Sequence, residues 1–128
     1  MATDPLDKTI HTSFEEALRR VPEALKGQGF GVLTTIDVKA TLKAKLGEDM
    51  APYTIFGACN PKMAHRALTL DPTIGVFLPC NVIVRELGAG TVEVRAVDPM
   101  VSIAGARPQL EEVARVVRGM LAKVIQEV

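Results

Sequence analysis

A chain of 128 residues and 13.8 kDa is long enough for one packed core and too short for two, which predicts a single domain. Its composition, 48% apolar and 23% charged, is that of a folded protein and excludes a disordered chain. The 15 basic residues equal the 15 acidic ones, so we expect no nucleic-acid partner, because duplex binding requires many neutralised phosphates. The same neutrality removes repulsion between copies and favours self-association.

The N-terminal segment, residues 1–7, has no apolar stretch behind it and therefore no signal-peptide pattern. We interpret it as a flexible tail that precedes one domain over residues 8–128. The longest nearly uncharged stretch, residues 68–84, contains Pro72, Gly75 and Pro79, which argues against a membrane-spanning helix. We therefore expect a cytoplasmic protein without a membrane partner, whose thiols are kept reduced.

The first part of the chain predicts two strands, each followed by a helix: a strand at 8–12, a helix from residue 14, a strand at 30–36 and a helix at 38–46. Ser13 and Glu16 have the spacing of a capping box at the start of the first helix. Pro22 lies inside that helix and predicts a kink. Asp37 predicts the N-cap of the second helix, and Gly47 predicts its left-handed end.

The rest of the chain predicts a strand at 53–58, a helix at 61–70, a strand-forming run at 75–86, a strand at 91–97 and a long helix from residue 108. Asn60 followed by Pro61 is an N-cap with proline at the first helical position. Pro79 splits the third run, and the glycines at 88 and 90 predict a hairpin turn. The apolar stripe of the last helix, from Leu110 to Val128, predicts core, or core shared with a partner helix.

The predicted helices are too few and too short to cover both faces of a parallel sheet. We therefore predict an α+β fold with one curved, mainly antiparallel sheet. The first and last helices would pack on one face of that sheet, and the shorter helices would be additional to this core.

The two cysteines lie in similar settings, because Cys59-Asn60 and Cys80-Asn81 are each next to a proline and a break in regular structure. Such positions face clefts more often than they fill cores. We predict that the ends of neighbouring strands bring both pairs to one cleft, which binds a small molecule or an anion. A helix that starts at Asn60 would direct free N–H groups at an anion. The candidate ligand-binding residues are Cys59, Asn60, His65, Cys80 and Asn81.

Alternatives remain for the same residues. Cys59 or Cys80 are candidate catalytic groups of a thiol-dependent redox or sulfur-transfer enzyme, since a helix N-terminus favours a thiolate. Both cysteines equally fit a role as small packing residues. His65 completes a conceivable set of three metal ligands, but the local C-x2-C spacing of zinc sites is missing, so we predict no metal and no cofactor. A third interpretation is a protein-interaction module.

Three segments resemble the DUF302 family: FGVLTTIDV with LKAKLG in residues 30–47, YTIFGACNP with Ala64-His65 in residues 53–65, and LPCNV with Glu86 and Asp98-Pro99 in residues 78–99. The similarity extends over residues 8 to 125. It implies a compact α+β fold with the outline of the TBP-like arrangement, a curved sheet and two helices, and it implies a dimer. It implies no activity, because the family has no known function, and a shared outline with a DNA-binding saddle does not imply DNA binding.

Overall fold

The computed structural model describes residues 5–128. In chain order its elements are β1 (Asp7–Ile10), α1 (Phe14–Gly27), β2 (Gly31–Asp37), α2 (Val38–Leu46), β3 (Tyr53–Cys59), α3 (Pro61–Leu70), β4 (Cys80–Gly88), β5 (Thr91–Ala96), α4 (Pro99–Ser102) and α5 (Glu111–Glu127). Short 3-10 turns, Pro72–Phe77 and Pro108–Leu110, precede β4 and α5. Within the described chain, no helix is long and apolar enough to cross a membrane.

The strands form one five-stranded sheet in the order β1-β5-β4-β3-β2. Every neighbouring pair is antiparallel. The β4–β5 hairpin therefore lies near the middle of the sheet, and Gly90 in its turn has a φ of 77°. The predicted α+β class is confirmed.

Helices α1 and α5 cover one face of the sheet, as the sequence predicted. The sheet contributes buried valines from its two central strands, among them Val84 and Val94 at 0% exposure. Leu25 from α1 and Leu121 from α5 are also fully buried. Because burial of one such side chain stabilises a fold by about 1.5–3 kcal/mol, these layers supply most of the driving force for folding. The apolar stripe of α5 is therefore core of the single chain.

The predicted helix caps are present. The Ser13 hydroxyl accepts a hydrogen bond from the Glu16 N–H at 3.1 Å, and the Asp37 carboxylate accepts one from the Ala40 N–H at 2.9 Å. Gly47 ends α2 with a φ of 70°. These local contacts explain why α2 begins and ends at the residues that the sequence predicted.

Two boundaries at the N-terminus differ from the prediction. Leu6 is only 3% exposed, and Asp7 already pairs with Arg95 in the sheet, so both residues belong to the folded domain and not to a tail. Strand β1 also ends at Ile10, before the predicted boundary. The remainder of the predicted tail, residues 1–4, lies outside the described residues.

The run that was predicted as a strand from residue 75 begins as a 3-10 turn, and β4 starts only at Cys80. The cause is Asp71, whose carboxylate accepts a hydrogen bond from the Thr73 N–H at 2.9 Å. Its other oxygen binds the Arg107 guanidinium at 2.9 Å. These contacts hold the chain in a turn that its β-branched residues alone would not favour.

Candidate functional site

The ends of β3 and β4 meet beside the start of α3. Ala58 on β3 pairs directly with Cys80 on β4, and the next residue, Cys59, is the last of its strand. A cavity of about 30 Å³ lies at this point, between the strand ends, α3 and α5. Cys59, Asn60 and Cys80 all line it, so the predicted convergence of the two cysteines is present in the fold.

Cys80 is buried, and Cys59 is partly exposed at the same cavity. Burial, together with repulsion from the neighbouring Cys59, raises the pKa of the Cys80 thiol to about 11. A thiol with this pKa stays protonated near neutrality, and its nucleophilicity is correspondingly low. Both cysteines are free thiols.

The side chain of Asn60 is occupied by contacts within the chain. Its oxygen accepts a hydrogen bond from the Met63 N–H at 3.3 Å and so caps α3. Its nitrogen donates to the Gln28 carbonyl at 3.2 Å and contacts the Met120 sulfur at 3.6 Å. Pro61, the first residue of α3, has no N–H. The start of α3 therefore offers fewer donors to an anion than the sequence suggested.

Two of the five predicted binding residues lie elsewhere. Asn81 follows Cys80 on β4 and is exposed, because successive side chains of a strand point to opposite faces and Cys80 faces the helices. His65 lines a separate surface groove with Arg66 and Glu112. Among residues 5–128, no three His, Cys, Asp or Glu side chains are grouped so that they could hold a metal ion.

Other residues of the site carried little signal in the sequence. Met63 also lines the cavity and adds a third sulfur. In the sequence, its place in α3 one turn after Asn60 was the only indication that Met63 lies near the two cysteines. Val113 and Val117 reach the cavity from α5, a helix that is remote in sequence and whose apolar stripe indicated only core. Pro79, which follows a cis peptide bond, lines the cavity beside Cys80.

Gly57 allows the strands to approach each other next to the cavity. A Cβ atom at this position would lie 2.9 Å from the Pro79 Cγ and even closer to the Thr34 hydroxyl. Real Cβ atoms essentially never approach other atoms this closely. Glycine is therefore required here by space, since Thr34 on β2 and Pro79 ahead of β4 both occupy the position of its missing side chain.

The size and lining of the cavity limit what it can hold. Its volume of about 30 Å³ is roughly a tenth of the smallest typical pocket for a drug-sized ligand. Of the described residues that line the cavity, none is charged, and the polar side chains among them are Cys59, Asn60 and Cys80. An ionised ligand would lose its hydration there without gaining a counter-charge.

Comparison with known proteins agrees with this fold. A family model described as "Domain of unknown function DUF302" matches residues 6–128. The crystal structure of an uncharacterized conserved DUF302 protein from Bacillus stearothermophilus is 32% identical in sequence. The similarity covers 95% of this chain and 97% of that one, with a TM-score of 0.84. A comparison with curated proteins found no match. Since the family model covers nearly the whole chain, the protein belongs to the DUF302 family.

Proposed function

We propose that this protein binds a compact, uncharged small molecule in the cavity between Cys59, Met63 and Cys80. The observation that carries the proposal is a volume of about 30 Å³ together with a lining that, within residues 5–128, has no charged residue. A site of this kind favours a ligand of a few non-hydrogen atoms that packs against polarisable sulfur and apolar carbon. The sequence indicated a small molecule or an anion as the ligand. The cavity restricts this proposal to compact, uncharged molecules and leaves anions out.

The three sulfur-bearing residues have different roles in this proposal. Cys80 is buried and its thiol is neutral, so it forms part of an apolar floor. Met63 lines the cavity from α3 and is partly buried against the core, where its flexible side chain can adapt to the ligand. Cys59 is partly exposed and lines the same cavity.

The test uses protein labelled with 13C in its methionine methyl groups, so that Met63 reports on the cavity and Met50, on the loop before β3, serves as an internal reference. Xenon is the apolar probe, since it enters dry apolar cavities, and inorganic phosphate is the anionic probe. We expect a saturable shift of the Met63 signal with xenon and none with phosphate.

A matched pair of variants identifies the site. Ala64→Leu adds volume to a residue that lines the cavity, whereas Ala44→Leu adds the same volume on the exposed surface of α2. We expect the xenon-induced shift to be lost in the first variant and kept in the second. A Met63 shift with phosphate but not with xenon would instead support an anion site and overturn the proposal.

A thiol-dependent redox or sulfur-transfer enzyme is the second candidate, and it is favoured by the presence of two free thiols at one cavity. The raised pKa of Cys80 argues against this residue as the nucleophile, because such an enzyme needs a thiolate near neutral pH, and it leaves Cys59 as the candidate. Iodoacetamide labelling of the native protein separates the two candidates. The binding function predicts that Cys80 is alkylated only after unfolding. Rapid alkylation of Cys80 in the native state, or alkylation of Cys59 well below the ordinary thiol pKa of about 8.5, would support the enzyme.

A further inference from the structure

Three sulfur-bearing residues, Cys59, Cys80 and Met63, line the cavity at the ends of β3 and β4. The sheet register places the two cysteines on neighbouring strands, since Cys80 pairs with Ala58 and Cys59 is the next residue of β3. The two thiols are close enough to interact electrostatically, because Cys59 contributes to the raised pKa of Cys80. Met63 lines the same cavity from the first turn of α3. Two thiols and a thioether at one small cavity form a set of metal ligands as well as an apolar lining.

Ligands of this kind select soft metal ions. Thiolate and thioether sulfur bind Cu(I), whereas Mg²⁺, Ca²⁺ and Mn²⁺ take oxygen ligands. Zinc also binds thiolates, but a structural zinc site needs four ligands. Within the part of the chain that the structure describes, no three His, Cys, Asp or Glu side chains are grouped to supply them. A monovalent soft ion is held by fewer ligands, so the two cysteines and the methionine suffice for it.

The size of the cavity suits one bare ion. Its volume of about 30 Å³ has room for very few particles of the size of a water molecule, each of which needs about 10–15 Å³. An anion would find no counter-charge among the described lining residues. A soft cation creates its own, because each Cu–S bond to a cysteine forms as the S–H proton of that thiol passes to solvent. The complex then carries one net negative charge beside the N-terminus of α3, whose dipole favours such a charge.

Met63 also connects the cavity to the surface. It lines both the cavity and a neighbouring groove of about 420 Å³ that contains Met120 from α5. Asn60 contacts both methionines, because its nitrogen lies 3.6 Å from the Met120 sulfur and its oxygen accepts from the Met63 N–H. The groove therefore offers a soft ion an entry path on which thioether sulfur precedes the two thiols.

We propose that Cys59, Cys80 and Met63 form a binding site for a soft monovalent metal ion of the Cu(I) class. The sequence indicated no metal, because zinc spacing is missing and His65 was the third candidate ligand. The structure places His65 in a separate groove and brings Met63 to the cysteines instead. This site does not depend on the uncharged ligand proposed above, since the ion bonds to the sulfurs whereas that ligand packs against them.

The test offers the metal-free protein Cu(I) held by the chromophoric chelator bicinchoninate, in the absence of oxygen. We expect the unaltered chain to withdraw one Cu(I) per chain, measured as loss of the chelator colour, and an excess of Zn²⁺ should not prevent the transfer. In protein labelled with 13C in its methionine methyl groups, the Met63 signal should shift with one equivalent of Cu(I), and the Met50 signal should not.

Three variants test the set of ligands. Cys80→Ala leaves only the partly exposed thiol of Cys59. We expect Cu(I) binding to weaken by about 100-fold, the upper end of what loss of a residue that merely supports a ligand costs. Met63→Leu keeps an apolar side chain of similar size without the sulfur and should weaken binding by about tenfold. Met50→Leu makes the same change on the loop before β3 and should bind Cu(I) as the unaltered chain does.

Several outcomes would overturn the proposal. One is that the unaltered chain withdraws no Cu(I) from the chelator. Another is that Cys80→Ala binds Cu(I) as tightly as the unaltered chain, which would assign the ion to Cys59 alone. A Met63 signal that stays unchanged with one equivalent of Cu(I) would do the same, and this readout does not depend on how the variants fold. The xenon experiment uses metal-free protein, so either proposal can fail while the other holds.

Discussion

At the scale of single residues, Cys80 links the cavity to the stability of the fold. Its thiol pKa is raised from 9.0 to about 11, first by burial and then by Cys59, so the folded chain keeps a proton that the unfolded chain releases. The preference of the folded chain for the protonated Cys80 thiol contributes no pH-dependent loss of stability below the thiol pKa of the unfolded chain, where its stabilising effect is fully present. That stabilising effect is lost as the pH rises through the thiol pKa of the folded chain. We expect the free energy of unfolding to fall by about 1.4 kcal/mol per pH unit across this window.

Urea unfolding at a series of alkaline pH values checks this expectation. Other groups also titrate there, so the informative quantity is the difference between the unaltered chain and Cys80→Ala, which lacks the buried thiol. Cys59→Ala is the matched control, because it removes the smaller cause of the pKa shift and should keep most of the slope. Identical slopes for the unaltered chain and Cys80→Ala would contradict the burial argument.

Gly57 provides a second prediction at this scale. Gly57→Ala inserts a Cβ between Thr34 and Pro79, where there is no space, and should destabilise the fold by about 1–3 kcal/mol. Gly27→Ala is the control, because a Cβ at the end of α1 meets no atom within 4 Å. Helix propensity then predicts a neutral or slightly stabilising effect. Thermal unfolding of both variants measures the difference, and equal melting temperatures would show that β3 relaxes to accommodate the methyl group.

At the scale of secondary-structure elements, Asn60 joins the start of α3 to the end of α1. Asn60→Ala removes the oxygen that accepts from the Met63 N–H and caps α3, and it also removes the donor to the Gln28 carbonyl. We expect the free energy of unfolding to fall by about 1–2 kcal/mol. Asn60→Asp keeps the cap but replaces the donor with a carboxylate oxygen that faces the Gln28 carbonyl, so it should also lose stability. Denaturant unfolding measures both variants, and unchanged stability in either one would contradict these two roles of Asn60.

Elements whose ends depend on neighbouring residues were predictable. Helices α2 and α3 begin and end where Asp37, Gly47 and Asn60 indicated, since each of these residues acts within one turn of the backbone. The 3-10 turn after α3 was missed. Its conformation depends on the bond between Asp71 and Arg107, which are 36 positions apart in the chain, and no local pattern reports such a pair.

At the scale of the whole molecule, the balanced charge of the chain predicts no specific binding to duplex DNA. Fifteen basic residues are matched by fifteen acidic ones. Several arginines are also neutralised within the fold, for example Arg85 by Glu93 at 2.6 Å. We expect no complex in a gel-shift experiment at physiological salt, because counterion release would be small. A submicromolar, salt-sensitive complex would contradict this, and its loss in Lys39→Ala/Lys45→Ala would locate it on α2.

The tertiary structure changes which surface is available for self-association. The long stripe from Leu110 to Val128 was a candidate partner surface, but Leu121 and Val124 are fully buried within their own chain. Within residues 5–128, no residue of β2 or α2 is buried. This exposure depends on β2 being the last strand of the sheet, which the local sequence of the strand and the helix does not indicate.

The sequence by itself determined the fold class, most helix and strand boundaries and the family, because apolar periodicity, caps and turn glycines are local properties. It also indicated that Cys59 and Cys80 would meet, since both lie at strand ends. Only the tertiary structure decided that Asn81 points away and that His65 lies elsewhere, because these depend on strand register and helix rotation. The size and apolar character of the cavity likewise depend on α5, whose contribution arises from packing between residues remote in the chain.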